Sequence, residues 1–236
     1  MNQADKRKIQ NLAVVIAAGG SGERFETSEK EKNKLLADLA GNPVFIHSII
    51  NFSQICPQEN IILAVNSESF ANFAEILKKY NFSKVKIVRG GETRMHSVFN
   101  ALKKISDTIK FVAIHDAARP LATAKLLKDS FKFAEKHGSA VVAKKITDTI
   151  KKSDKNDFIC RNIPRENLWT VETPQIFDLK KLIKAYEKAF SAIKFFTDDA
   201  GVMTHSGYKV KLFQNPSKNT KITFYYDLCE IRKYIH

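Results

Sequence analysis

The side chains best suited to chemistry begin where an apolar run ends. Residues 12–17 are followed by Ala18, Gly19, Gly20, Ser21 and Gly22, then by Arg24 and, further on, Lys34. Glycines after a strand let the backbone turn sharply and come close to a ligand. Successive unpaired N–H groups in such a turn form a concavity that suits phosphate oxygens. The two cations beyond it add mobile positive charge. The stretch is not a P-loop, because no Gly-Lys-Ser/Thr follows. It is not a dinucleotide fingerprint either, since Phe25 stands where a third glycine belongs. What remains is a turn able to hold a nucleoside triphosphate, with a plain structural turn as the alternative.

Asp116 closes an apolar segment, 111–114, after His115. A carboxylate at the carboxyl end of a strand can hold Mg²⁺, which prefers one or two carboxylates plus substrate phosphates. Capping of the next helix is the other reading of Asp116. Gly91, Glu92, Thr93 and Arg94, with Ser97, open a helix whose N-terminus suits an anion or a ribose. Thr149, Arg161, Arg165, Thr173 and Thr197 form a looser polar set. Lys221, beside Ile222, can point into a crevice. No pair of histidines has metal-ligand spacing, and no Gly-x-Ser-x-Gly elbow is present, which argues against zinc and against a protein nucleophile.

These residues need a scaffold, and the pattern supplies one. Short apolar strands (12–17, 60–65, 84–88, 111–114, 140–143) alternate with amphipathic helices (43–52, 67–80, 93–104, 123–137). The alternation predicts an α/β fold with a doubly wound, mostly parallel sheet, in which ligands bind outside the carboxyl ends of the strands. Gly19–Gly22, Gly90–Gly91 and 115–119 would converge there. Residues 144–167 break the rhythm and predict a β-hairpin that leaves the globule and needs a second subunit against it. Beyond it, the sequence predicts an extended segment at 168–177, a helix at 179–190 and a short helix capped by Thr197. Strands at 209–213 and 221–224 and a helix at 226–235 follow. Residues 1–236 read as one domain.

Composition narrows the function class. A hydrophobic fraction of 44% and 17 Phe indicate a globular chain with a substantial core. A formal charge of +14 suits nucleic acid, an anionic membrane surface or anionic small substrates. The cations are spread along the chain rather than gathered in a tail, which favours small substrates. The three cysteines, Cys56, Cys160 and Cys229, form no disulfide pattern, and a reducing cytoplasm is the simplest setting. No apolar stretch approaches the ~20 residues of a membrane helix.

Taken in order, the motifs resemble one family, 2-C-methyl-D-erythritol 4-phosphate cytidylyltransferase, of the non-mevalonate isoprenoid pathway. The matching stretches are AGGSGER (18–24), Lys34, GGETRMHSV (90–98), HDAARP (115–120), DTIK (148–151), R-x-x-L-W (165–169), TPQIF (173–177), TDDA (197–200) and N-x-K-I-T (219–223). The resemblance implies a Rossmann-like nucleotidyltransferase fold and a transfer from CTP, with Mg²⁺, to methylerythritol phosphate. It implies that the Gly loop, Gly91, Glu92, Ser97 and Ala117 bind CTP and that Asp116 holds the metal. Arg24, Lys34, Arg165 and Lys221 would act in catalysis. Thr149, Arg165, Thr173, Thr197 and Arg119 would bind the sugar phosphate. It further implies a homodimer whose hairpin carries Thr149 and Arg165 into the neighbouring site. The chain departs from the family where Asn33 replaces a proline before Lys34 and where the intervening loop is long and acidic. Ribitol 5-phosphate cytidylyltransferase is the near alternative, and a basic nucleic-acid-binding or regulatory module the alternative of another class.

Overall fold

The computed structural model describes residues 8–20, 25 and 33–235. Ser21, Gly22 and Arg24 lie outside the described residues. Strand β1 (Leu12–Ala18) is buried along nearly its whole length. A two-residue ladder, β2 (Asp38–Leu39) with β3 (Asn42–Pro43), follows Lys34 and leads into α1 (Val44–Ser53). Its turn places Ala40 and Gly41 at φ 52° and 81°. An alanine there is uncommon, which is why the sequence carries little sign of this hairpin.

The βα rhythm continues with β4 (Ile61–Val65), α2 (Phe70–Lys79), β5 (Lys86–Arg89) and α3 (Arg94–Leu102). Then come β6 (Phe111–Asp116), α4 (Ala124–His137) and β7 (Ser139–Lys145). Local chemistry sets the boundaries as the sequence predicts. Thr93 and Thr123 accept hydrogen bonds from the His96 and Leu126 N–H groups, and Gly138 ends α4 at φ 82°.

The excursion is a real hairpin, β8 (Ile150–Ser153) against β9 (Ile159–Ile163), with shorter strands than the pattern suggests. It grows out of the sheet, because Lys145 pairs with Trp169 and Ile146 N–H donates to Leu168 at 3.2 Å. Then β10 (Trp169–Asp178) re-enters the globule, followed by α5 (Leu179–Ser191), α6 (Asp199–His205), β11 (Leu212–Gln214) and α7 (Tyr225–Arg232). Two predicted details change here. The cap of α6 is Asp198, whose side chain accepts from Gly201 N–H, not Thr197. Residues 221–224 form no strand; Ile222 is buried in the core, and its N–H donates to the Ala118 carbonyl at 2.8 Å.

The main sheet has the order β11-β7-β10-β6-β1-β4-β5. β10 runs antiparallel to both neighbours, while the other described neighbour pairs run parallel. Chain order reverses around β1, which lies between β4 and β6, so the crevice opens at the carboxyl end of β1. Alternation fixes the two faces. Val14 and Ile16 pack with α1, α2, α4 and α7, whereas Ala13 and Val15 pack with α3, α5 and α6. Among the described residues no helix is long and apolar enough to cross a membrane.

Candidate active site

The carboxyl ends of β1 and β6 and the N-terminus of α3 enclose a cleft of about 440 Å³. Gly19, Gly20, Lys34, Gly91, Glu92, Arg94, Ser97, Asp116 and Lys221 line it. The turn from β5 into α3 is tight enough to exclude side chains. A Cβ on Gly90 would stand 2.5 Å from Ser97 Oγ, and one on Gly91 the same distance from His96 Cβ. Ser97 shapes this turn, accepting from Gly91 N–H at 3.1 Å and donating to the Thr93 carbonyl at 3.0 Å. The helix N-terminus therefore faces the cleft at its glycine-lined wall.

A smaller cleft of about 230 Å³ adjoins the first and shares Arg94, Asp116 and Lys221 with it. Arg119, Glu172, Thr173 and Thr197 line the remainder. The ladder between β10 and β7 shifts register between Val171 and Gln175, across the cis Thr173–Pro174 peptide. That irregularity sets Thr173 beside β6, where its Oγ1 accepts from Asp116 N–H at 3.0 Å and meets His115 Nδ1 at 3.0 Å.

Asp116 stands on the wall between the clefts. Its Oδ1 accepts from Arg94 Nε at 3.3 Å, its Oδ2 accepts from Lys221 Nζ at 2.9 Å, and Arg119 Nε lies 3.8 Å away. Burial pushes its carboxyl up, but Arg94, Lys221 and Arg119 outweigh burial and hold it well below the usual carboxylate range. Asp116 is thus ionised at any physiological pH. Two guanidinium donors here, Arg94 Nη1 and Arg119 Nε, are buried without a hydrogen-bond partner among the described residues. Unmatched buried donors of this kind suit an anionic ligand. Among the described residues no trio of His, Cys, Asp or Glu gathers to hold a metal on its own. A hard divalent cation still fits Asp116, with phosphate oxygens completing its shell.

Several assigned residues meet here, and some do not. Ala18 and Ala117 are buried in the core instead of lining a cleft: Ala18 points to the face of β1 opposite Ala17, and Ala117 is wholly enclosed after the end of β6; Ala17 and Ala118 line the cleft in their place. Thr149 and Arg165 are exposed on the hairpin and line neither cleft of their own chain, and Arg165 Nη1 donates to the Thr147 carbonyl. Sequence reasoning passed over Glu172, Asn219 and Asp199, and gave Arg94 no role. Glu172 is a buried carboxylate that accepts from Asn215 at 2.7 Å and Asn219 at 3.2 Å. Asn219 in turn accepts from Arg119 through its carbonyl at 2.8 Å and donates to the Thr173 carbonyl at 2.7 Å. This network props the segment that carries Lys221 against β10. The one signal for Arg94 was its place on the first turn after a Gly-Gly pair at a strand end.

A doubly wound sheet with an anion-suited cleft at its switch point defines a nucleotide-binding domain of the nucleotidyltransferase kind. The family model for 2-C-methyl-D-erythritol 4-phosphate cytidylyltransferase matches residues 12–236. Relatives bearing that name include one from Caldanaerobacter subterraneus subsp. tengcongensis, 37% identical over 220 residues, spanning 92% of this chain and 96% of the relative. Another, from Halalkalibacterium halodurans, is 37% identical over 217 residues, 92% and 93% of the two chains. The crystal structure of the Francisella tularensis enzyme of that name superposes with a TM-score of 0.79 at 27% identity, over 95% of this chain and all of that one. The chain belongs to the 2-C-methyl-D-erythritol 4-phosphate cytidylyltransferase family.

Proposed function

We propose that this protein transfers a cytidylyl group from CTP to 2-C-methyl-D-erythritol 4-phosphate, giving 4-diphosphocytidyl-2-C-methyl-D-erythritol and pyrophosphate. One observation carries the reading beyond family membership. Two adjoining clefts, one glycine-lined and one threonine-lined, share a wall made of Asp116, Arg94 and Lys221. Such a wall suits the point where an acceptor phosphate oxygen meets the α-phosphorus of a nucleotide. The triphosphate lies along Gly19 and Gly20, which Ser21, Gly22 and Arg24 follow in the sequence. Lys34 faces it across the larger cleft. Arg119, Thr173 and Thr197 hold the acceptor phosphate and polyol, and Lys221 orients the attacking oxygen. Mg²⁺ on Asp116 would neutralise charge on the phosphates. The protein's remaining task is positioning and electrostatic stabilisation, since phosphoryl-type transfer asks for little else.

The test supplies CTP and Mg²⁺ with methylerythritol phosphate or with ribitol 5-phosphate and follows pyrophosphate. Turnover confined to ribitol 5-phosphate would replace the acceptor assignment. Salt-sensitive oligonucleotide binding without CTP selectivity would replace the reading altogether. Lys34→Ala is expected to lower kcat about 100-fold while circular dichroism stays unchanged; near-normal turnover removes Lys34 from the mechanism.

The proposal includes a cytoplasmic homodimer in which Thr149 and Arg165 complete the neighbour's acceptor cleft. Their exposure on a hairpin that leaves the globule supports this, as do exposed Phe158 and Ile159 near its turn. Mixing inactive Lys34→Ala with inactive Arg165→Ala subunits is the direct check. If sites are shared, half the dimers are mixed and each holds one intact site, so about a quarter of wild-type activity returns. No recovery after subunit exchange would place Arg165 outside the neighbour's site.

A further inference from the structure

Asp199 is wholly buried and lines neither cleft, yet it is linked to Asp116 through Arg94. Tyr186 Oη donates to its Oδ1 at 2.6 Å, and Arg94 Nη2 donates to its Oδ2 at 2.9 Å. Arg94 reaches Asp116 less closely, at 3.3 Å from both Nε and Nη2. One guanidinium is therefore divided unequally between two carboxylates, and the shorter bond goes to the one that touches no ligand. Tyr186, itself fully buried on α5, fixes the Asp199 carboxylate so that it cannot follow Arg94 outward. Buried ion pairs contribute little to stability compared with apolar residues of the same volume. A fully buried carboxylate here calls for another role.

We propose that Asp199 is a positioning residue that restrains Arg94 and so keeps Asp116 available to the divalent cation that accompanies the nucleotide. Without Asp199, Arg94 has one carboxylate left to pair with. It closes on Asp116 as a bidentate fork, the favoured geometry of a guanidinium with a carboxylate, and competes with the cation for the same oxygens. The inference rests on the assignment of Asp116 to the metal in the proposed function.

Mn²⁺ binding to the full chain at saturating CTP, read by electron paramagnetic resonance, tests it without relying on turnover. Asp199→Asn is expected to weaken Mn²⁺ binding about tenfold, the usual scale for an outer-shell partner. Arg94→Met, which removes the competitor, is expected not to weaken it. The Arg94→Met/Asp199→Asn double variant leaves no buried charge unpaired and should match Arg94→Met. A merely structural role for Asp199 predicts that the double variant loses affinity as Asp199→Asn does, and that result overturns the proposal. So does a loss in Arg94→Met equal to that in Asp199→Asn. Should Asp199→Asn fail to fold, the neutral double variant still decides, because weaker Mn²⁺ binding there rejects the restraint. Asp116→Asn separates the two levels. Unchanged Mn²⁺ binding in that variant removes the metal assignment itself, whereas its loss beside an unaffected Asp199→Asn removes only the restraint.

Discussion

Lys221→Met is expected to lower kcat about 1000-fold, the upper range for losing one preorganised charge from a transition state. Lys221 lines both clefts, as Arg94 and Asp116 do, so under the proposed function it stands where the two reacting partners would meet. Its ammonium bonds Asp116 Oδ2 at 2.9 Å before any ligand arrives. If Asp116 holds the cation as proposed, Lys221 would be released to pair with the acceptor phosphate. The loss should therefore fall on kcat and on the KM of the acceptor, with a smaller change in the KM of CTP. Stability should barely change. Arg94 and Arg119 remain beside Asp116, and the Lys221 side chain is 40% exposed, so its ion pair is worth less than about 1 kcal/mol. Lys221→Arg should not restore the rate, because a planar fork on a shorter, stiffer stem pairs with Asp116 more persistently than an ammonium does. Steady-state kinetics on pyrophosphate release, with thermal unfolding as the control, decides the point. If Lys221 were only a counter-ion for Asp116, Lys221→Arg, which keeps the pair, would retain most of the rate.

What the sequence made legible was local. Thr123 and Gly138 bracket α4 because a cap and a left-handed stop act within one turn. Asp116 is visible because a lone carboxylate ends an apolar strand, and the Gly90–Gly91 turn because only glycine fits against Ser97 and His96. The partners of Asp116 were not visible. Arg94 and Asp199 are 105 positions apart, as are Asp116 and Lys221, and no periodicity links such pairs. The reversed direction of β10 was equally hidden, since an extended apolar segment reads alike in either direction. Residues 221–224 show the converse failure. Their alternation looks like a strand, but the sheet already ends at β11, and burial of Ile222 beneath Ala118 supplies the pattern instead. Asp199 was hidden behind the cap assigned to Thr197, a task that Asp198 performs. One acid suffices for that task, so the second was the clue.

Acidification should expose the other group hidden at this site. Lowering the pH from 6.5 to 4 is expected to cost the wild type about 3 kcal/mol more unfolding free energy than His115→Gln loses over the same range. His115 is fully buried at the end of β6, with Nε2 at 3.1 Å from Ser48 Oγ and Nδ1 at 3.0 Å from Thr173 Oγ1. Burial pushes its imidazole down to about 3 from an ordinary 6.5; Asp116 opposes this, and Arg119 and Arg94 add to it. The sign follows from proton counting. Below pH 6.5 the unfolded chain takes up a proton that the folded chain refuses until about pH 3, so stability is full above 6.5 and drains as the pH falls. Glutamine does not titrate, so the variant starts less stable at neutral pH and the gap narrows on acidification. Urea unfolding at intervals from pH 7.5 to 4 reads the difference, and parallel curves would refute the assignment. Catalysis supplies a second view of the same group. While the protein stays folded above pH 4, His115 remains neutral and Thr173 keeps its bond to Asp116 N–H. Titration of His115 should therefore contribute nothing to the activity profile in that range.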